Sequence, residues 1–71
     1  MSRDELLEDR AAFIAGEIGG AVVELIIGGG VISRDAIADS LEAKRKAVGN
    51  VIHKGVLRDA AEFVRNGQYK T

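Results

Sequence analysis

His53 is the side chain of this sequence best suited to acid–base or metal chemistry, yet its neighbours support neither role. The chain of 71 residues has no cysteine and only this one histidine. The residues one helical turn away on either side are Gly49 and Leu57, which supply neither an acid nor a second ligand. We therefore interpret His53 as a surface or capping histidine, and we expect no metal site and no cofactor.

Two other patterns could support chemistry, a pair of carboxylates and a run of glycines. Asp39 and Glu42 lie one turn apart, but neighbouring Lys and Arg on an exposed helix explain the pair more simply than a shared proton. Glycines 28–30 precede Val31 and Ile32, whereas a phosphate-binding loop has Lys-Ser or Lys-Thr at that place. With no catalytic residues, the chain is expected to be non-enzymatic and to have no small-molecule substrate.

Basic side chains are concentrated in the second half of the chain. Residues 1–32 contain two basic and six acidic side chains, whereas residues 33–71 contain eight basic and five acidic ones. This asymmetry indicates an anionic partner, an antiparallel contact between copies, or simply a solvated face. The candidates for binding DNA or a partner protein are Arg34, Lys44, Arg45, Lys46, Lys54 and Arg58.

Residues 37–51 have the apolar spacing of a helix-turn-helix motif. The apolar positions are Ile37, Ala38, Leu41, Val48 and Val51. In this interpretation, the basic residues 44–46 would begin the recognition helix and lie near phosphates or base edges. Glu42 replaces the turn glycine of the motif, and any short helix pair can show the same spacing. DNA binding is therefore the alternative hypothesis.

The pattern of apolar residues predicts one all-α domain of three helices, a helical hairpin-like arrangement over residues 1–71. The first helix should open with a capping box at Ser2 and Glu5, and glycines 28–30 should end it. The second should begin after an N-cap at Ser33.

The third helix is expected from about Ala47 to Arg65, with Gly49 and Gly55 as weak points where it starts late or bends. Residues 67–71 are expected to be a disordered tail.

The first helix is also where we expect two copies of the chain to meet. A chain this small usually needs a disulfide, a bound metal or a partner subunit to stabilise its fold, and without cysteine the remaining option is a partner subunit. Apolar residues recur along the helix at spacings of three and four, which suits helix pairing. The expected anchors of this core and dimer seam are Leu7, Ile14, Ile18 and Leu25. Gly16 and Gly20 would allow a second backbone to approach closely, or would merely bend the helix.

Residues 11–32 are apolar enough that a membrane span must be considered. Glu17 and Glu24 lie within this stretch, and each would cost about 2.5–3.5 kcal/mol at the centre of a bilayer. The first eight residues are acidic, unlike a signal peptide. We therefore expect a cytoplasmic protein that does not enter a membrane.

About two thirds of the chain, residues 17–66, carries runs that are similar to a known family. The runs are IGGAVVELI at 18–26, ISRDAI at 32–37, LE at 41–42 and VIHK at 51–54. They resemble the YmgB/AriR family of small enteric-bacterial regulators. The resemblance implies a helical homodimer that controls biofilm or stress responses as a connector to two-component signalling. It also implies a signalling protein or response regulator as the partner, and it brings no catalytic residues.

Overall fold

The computed structural model describes residues 3–67, with side chains from residue 9 onward. Within these residues there are three helices and no strand: α1 spans Arg3–Ile27, α2 spans Arg34–Ala47 and α3 spans Val51–Asn66. The predicted all-α, three-helix fold is confirmed. The predicted capping box at Ser2 and Glu5 and the predicted tail beyond residue 67 lie outside the described residues.

The glycine run ends α1 as its composition predicts. Gly29 has a φ of 71°, in the left-handed region that glycine adopts without strain. The Gly29 N–H donates to the Ile26 carbonyl (3.2 Å), and the Gly30 N–H donates to the Leu25 carbonyl (2.9 Å). These two bonds form a Schellman motif, which satisfies carbonyls that the helix end would otherwise leave unpaired.

Side-chain caps define where α2 and α3 begin. The Ser33 hydroxyl accepts a hydrogen bond from the Ala36 N–H at 3.0 Å, so the predicted cap is confirmed. Asn50 plays the same part for α3, because its side-chain oxygen accepts from the His53 N–H at 2.9 Å. Gly67, with a φ of 72°, closes the far end of α3.

The boundary between α2 and α3 differs from the sequence prediction. α2 continues through Ala47, and α3 begins at Val51, after the expected start near Ala47. The reason is local, because Val48 adopts an extended conformation and Asn50 supplies the next cap. The placement of residues 44–46 at the start of a recognition helix is therefore wrong. These residues form the last turn of α2, where their charge suits the negative end of the helix dipole.

The three helices enclose a small core that is rich in alanine. Leu41 and Leu57 are its largest fully buried side chains. The buried apolar residues are Ile14, Ala21, Ala38, Leu41, Val56, Leu57, Ala60 and Ala61. Within the described part of the chain, no helix is both long enough and apolar enough to cross a membrane.

Candidate functional site

The described residues leave more large apolar side chains exposed than they bury. The buried ones are Ile14, Leu41, Val56 and Leu57. The exposed ones are Phe13, Val23, Ile26, Ile27, Val31, Ile32, Val51, Ile52 and Phe63. A small monomer has no structural use for so many exposed apolar groups, so their positions are the first guide to a binding surface.

Two of these side chains, Val23 and Ile26, lie with three small residues on the face of α1 that points away from the core. We call this face the outer seam, and it consists of Ala12, Gly16, Gly19, Val23 and Ile26. All five are exposed, and they recur at spacings of four and three residues, which places them on one face of the helix. The seam contains no charged residue. The residues of its first half are small, and Val23 and Ile26 in its second half have branched side chains.

The sequence-predicted seam residues occupy the opposite side of α1. Ile14 is only 3% exposed and belongs to the core of its own chain, and Ile18 packs against that core. Leu25 is half-buried, and the side chain of Leu7 lies outside the described residues. Ile14 is therefore enclosed already within the core of its own chain.

The glycines of α1 have no packing role within the chain. A Cβ atom added to Gly16, Gly19 or Gly20 would meet no atom within 4 Å. Each glycine in a helix interior nevertheless costs about 1 kcal/mol relative to alanine. The close approach expected at Gly16 and Gly20 does not occur between helices of the same chain, so it remains a prediction about a second molecule.

A part-buried cluster of three polar residues, which the sequence did not reveal, lies where the three helices meet. The Lys44 ammonium donates to one oxygen of Glu17 at 2.8 Å, and His53 Nε2 lies 2.8 Å from the other. The Glu17 side chain is only 12% exposed. His53 is thus a part-buried residue that joins α3 to α1, which corrects its interpretation as a surface histidine. Its acid comes from another helix and shows no helical spacing.

The pKa of Glu17 is lowered by this cluster. Burial alone would raise it, but the hydrogen bonds and positive charges of Lys44 and His53 together outweigh that effect. Glu17 is therefore held as a carboxylate, and the three side chains form a structural ion-pair cluster between all three helices.

The candidate basic residues are spread over several surroundings. Lys44 is paired with Glu17, Arg45 with Glu42 at 2.6 Å, and Arg58 with Asp59 at 3.5 Å. Lys54 donates to the Arg45 carbonyl at 2.9 Å.

Arg34 and Lys46 differ from these four because they are exposed, and like Lys54 they form no ion pair with a described acid. The structure thus divides the basic candidates into three that are paired with an acid of the chain and three whose charge no described acid pairs.

A basic side chain accompanies the two carboxylates of α2 considered above. Arg65 of α3 approaches Asp39 at 3.9 Å and Glu42 at 3.4 Å. A separate ion pair joins Arg10 of α1 to Asp59 of α3.

Two apolar depressions lie on either side of α1. A groove of about 400 Å³ between α1 and α3 borders the outer seam at Gly19 and is also lined by Phe63. A pocket of about 310 Å³ is lined by Phe13, Asn50, Ile52 and His53. The ring of Phe13 meets that of His53 edge to face, with centroids 5.8 Å apart.

No group of three or more acidic or histidine side chains in the described part of the chain could hold a metal ion. The chain matches no protein-family model, no curated protein and no solved structure.

Proposed function

We propose that this chain is a non-enzymatic regulator that works as a homodimer and acts by protein–protein contacts. The observation that carries the proposal is the excess of exposed over buried large apolar side chains, together with a charge-free seam along α1. A surface of this kind gains free energy when a second apolar surface covers it, at about 25 cal/mol per Å².

The seam is complementary to a second copy of itself. In an antiparallel pair centred near Gly19, Val23 and Ile26 of one copy would face Gly16 and Ala12 of the other. The branched side chains of each copy then fill the space above the small residues of the other, and the two-fold axis makes the two halves of the interface identical. The glycines allow the two backbones to approach closely, which supplies a reason for them that the single chain lacks.

Charge is consistent with this occupant. Asp9 is exposed and lies three residues before Ala12, just beyond the end of the seam. In the antiparallel pair it would approach the start of α2 in the other copy, where Arg34 is exposed and unpaired among the described residues.

The dimer is tested by light scattering on the wild-type chain and on Val23→Glu. Val23 is 53% exposed, so the substitution should leave the fold intact and place a charge in the seam. We expect a dimer for the wild type and a folded monomer for the variant. The control is Val51→Glu, because Val51 is 80% exposed and lies on α3, outside the seam. A wild-type monomer at millimolar concentration would contradict the proposal.

The biological role within this proposal is control of biofilm or stress signalling, and the resemblance to the YmgB/AriR family is its support. Cells that produce the wild-type chain should differ in biofilm mass or in survival of acid stress from cells that produce Val23→Glu. Equal effects from the two chains would show that the biological role does not depend on the dimer.

A further inference from the structure

A second exposed apolar patch lies where the start of α3 meets α1. We call it the α3 patch, and it consists of Phe13 of α1 and of Val51 and Ile52 of α3. These side chains are 50%, 80% and 77% exposed. Phe13 and Ile52 line the 310 Å³ pocket together with His53 and Asn50. The patch therefore offers two apolar anchors and a depression between them.

The surroundings of the α3 patch are positively charged. Between residues 43 and 58 there are five basic side chains and no acidic one. Lys46 is exposed in the last turn of α2, and Lys54 lies in the first turn of α3. Asp9 is exposed one helical turn before Phe13, and Glu17 contacts His53 and is also paired with Lys44. Lys46 and Lys54 are not paired with a described acid, so a partner at the patch would meet an apolar centre beside more positive than negative charge.

We propose that the α3 patch binds an acidic amphipathic helix of a partner protein. Its apolar side chains would enter the pocket between Phe13 and Ile52, and its carboxylates would face Lys46 and Lys54. This is the helix-in-groove mode, in which apolar residues at i, i+3 or i+4, and i+7 are the anchors. The inference rests on the proposed function in that it names the partner class of a protein-binding regulator.

The same surface is poorly suited to DNA. In a helix that enters the major groove, the first residues face base edges and phosphates. Here those residues are Val51 and Ile52, which offer no hydrogen-bond donor or acceptor from their side chains. Lys44 and Arg45 are engaged with Glu17 and Glu42 within the chain. Apolar contact with positive charge beside it favours a protein segment.

The test is a fluorescence anisotropy titration of the full chain with a labelled helical peptide that has Leu at the anchor positions and Glu elsewhere. We expect saturable binding that weakens as salt is raised, because the charge component is screened. Ile52→Glu should weaken the affinity at least about tenfold, as loss of a central anchor does. Lys46→Glu should weaken it about threefold, since charges at the edge of an interface contribute less.

Two controls make the result specific. Val31→Glu, equally exposed but distant along the chain, should bind the peptide as the wild type does. A peptide of the same composition in scrambled order should not bind. Circular dichroism of Ile52→Glu checks that the fold is retained, as its 77% exposure predicts.

Three outcomes would overturn the inference: equal binding by Ile52→Glu, equal binding of the scrambled peptide, or no binding of the designed peptide. Tight binding of duplex DNA that Lys46→Ala abolishes would replace it with the nucleic-acid alternative. Phe13 of the patch lies beside Ala12 and Gly16 of the outer seam on α1, so the titration is also run on Val23→Glu, which is expected to be monomeric. Peptide binding by that monomer would show that the α3 patch binds its partner whether or not the chain dimerises.

Discussion

Glu17 Oε1 lies 2.8 Å from His53 Nε2, which joins α1 to α3 across 36 positions of sequence. The other carboxylate oxygen of Glu17 accepts from Lys44 of α2 at the same distance. One part-buried side chain thereby connects all three helices. In a chain whose core consists of four alanines and only four larger apolar side chains, such a link contributes to how the helices are held together.

Glu17→Gln should destabilise the fold. The substitution removes the charge that Lys44 and His53 both contact, while the amide keeps a similar shape. Hydrogen bonds to charged groups contribute about 1.5–3 kcal/mol when buried, but Lys44 is 41% exposed and can be solvated instead. We expect a loss of about 1–2 kcal/mol in the free energy of unfolding, measured by urea titration. A change below the error of that titration would mean that the cluster contributes nothing.

Stability should fall as the solution becomes acidic, with Glu17 contributing to the loss. Its pKa is lower in the folded chain than in the unfolded chain, so at low pH the unfolded state binds the proton more readily. The contribution is complete above the ordinary pKa of a glutamate and disappears as the pH falls through the lowered value. Urea midpoints measured between neutral and acidic pH should decline less steeply for Glu17→Gln than for the wild type.

Leu57→Ala should strongly destabilise the fold. Leu57 is 0% exposed and is one of the two largest fully buried side chains. Such a truncation costs about 2–5 kcal/mol, against a total of about 4–10 kcal/mol for a chain of this length. The matched control is Ile52→Ala, which removes an apolar side chain that is 77% exposed and should change stability by less than about 0.5 kcal/mol. Thermal unfolding by circular dichroism distinguishes the two.

Asn50→Ala should weaken the start of α3. The side-chain oxygen of Asn50 accepts from the His53 N–H, and no alanine atom can replace it. The expected loss is about 1 kcal/mol. Asn50→Asp keeps the acceptor and adds a favourable charge at the helix start, so it should retain wild-type stability. If Asn50→Asp were as unstable as Asn50→Ala, the cap would not be the cause.

Gly19→Ala should affect the single chain and the dimer in opposite directions. Its new Cβ meets nothing within the chain, so the monomer should gain up to about 1 kcal/mol from helix propensity. In the antiparallel pair, the same Cβ lies where the two backbones are closest, so the dimer should dissociate more readily. Sedimentation equilibrium measures the second effect. Gly55→Ala on α3 is the control, since it should stabilise the chain without weakening the dimer.

Local signals in the sequence were sufficient to predict the helices and most of their ends. Ser33 caps α2, and the glycines after Ile27 end α1, because these effects depend only on residues a few positions apart. The start of α3 was predicted too early, because the apolar residue Val48 continues the helical pattern while its backbone leaves it. A cap at Asn50 was a signal available in the sequence that could have corrected this boundary.

The assignment of faces could not be read from the sequence. α1 has apolar residues on more than one side, so periodicity alone does not decide whether Ile14 or Val23 faces the core. Only the packing of α2 and α3 determines this, and it buries Ile14 to 3% exposure while leaving Val23 53% exposed.

The sequence by itself determined what depends on neighbours along the chain: the helical class, the caps and the glycines that end α1. Tertiary structure alone decided what depends on residues far apart. It brought Glu17, Lys44 and His53 together, and it left the outer seam uncovered. The physical reason is that a helix forms from short-range hydrogen bonds, whereas burial and ion pairing depend on which helix faces are brought together.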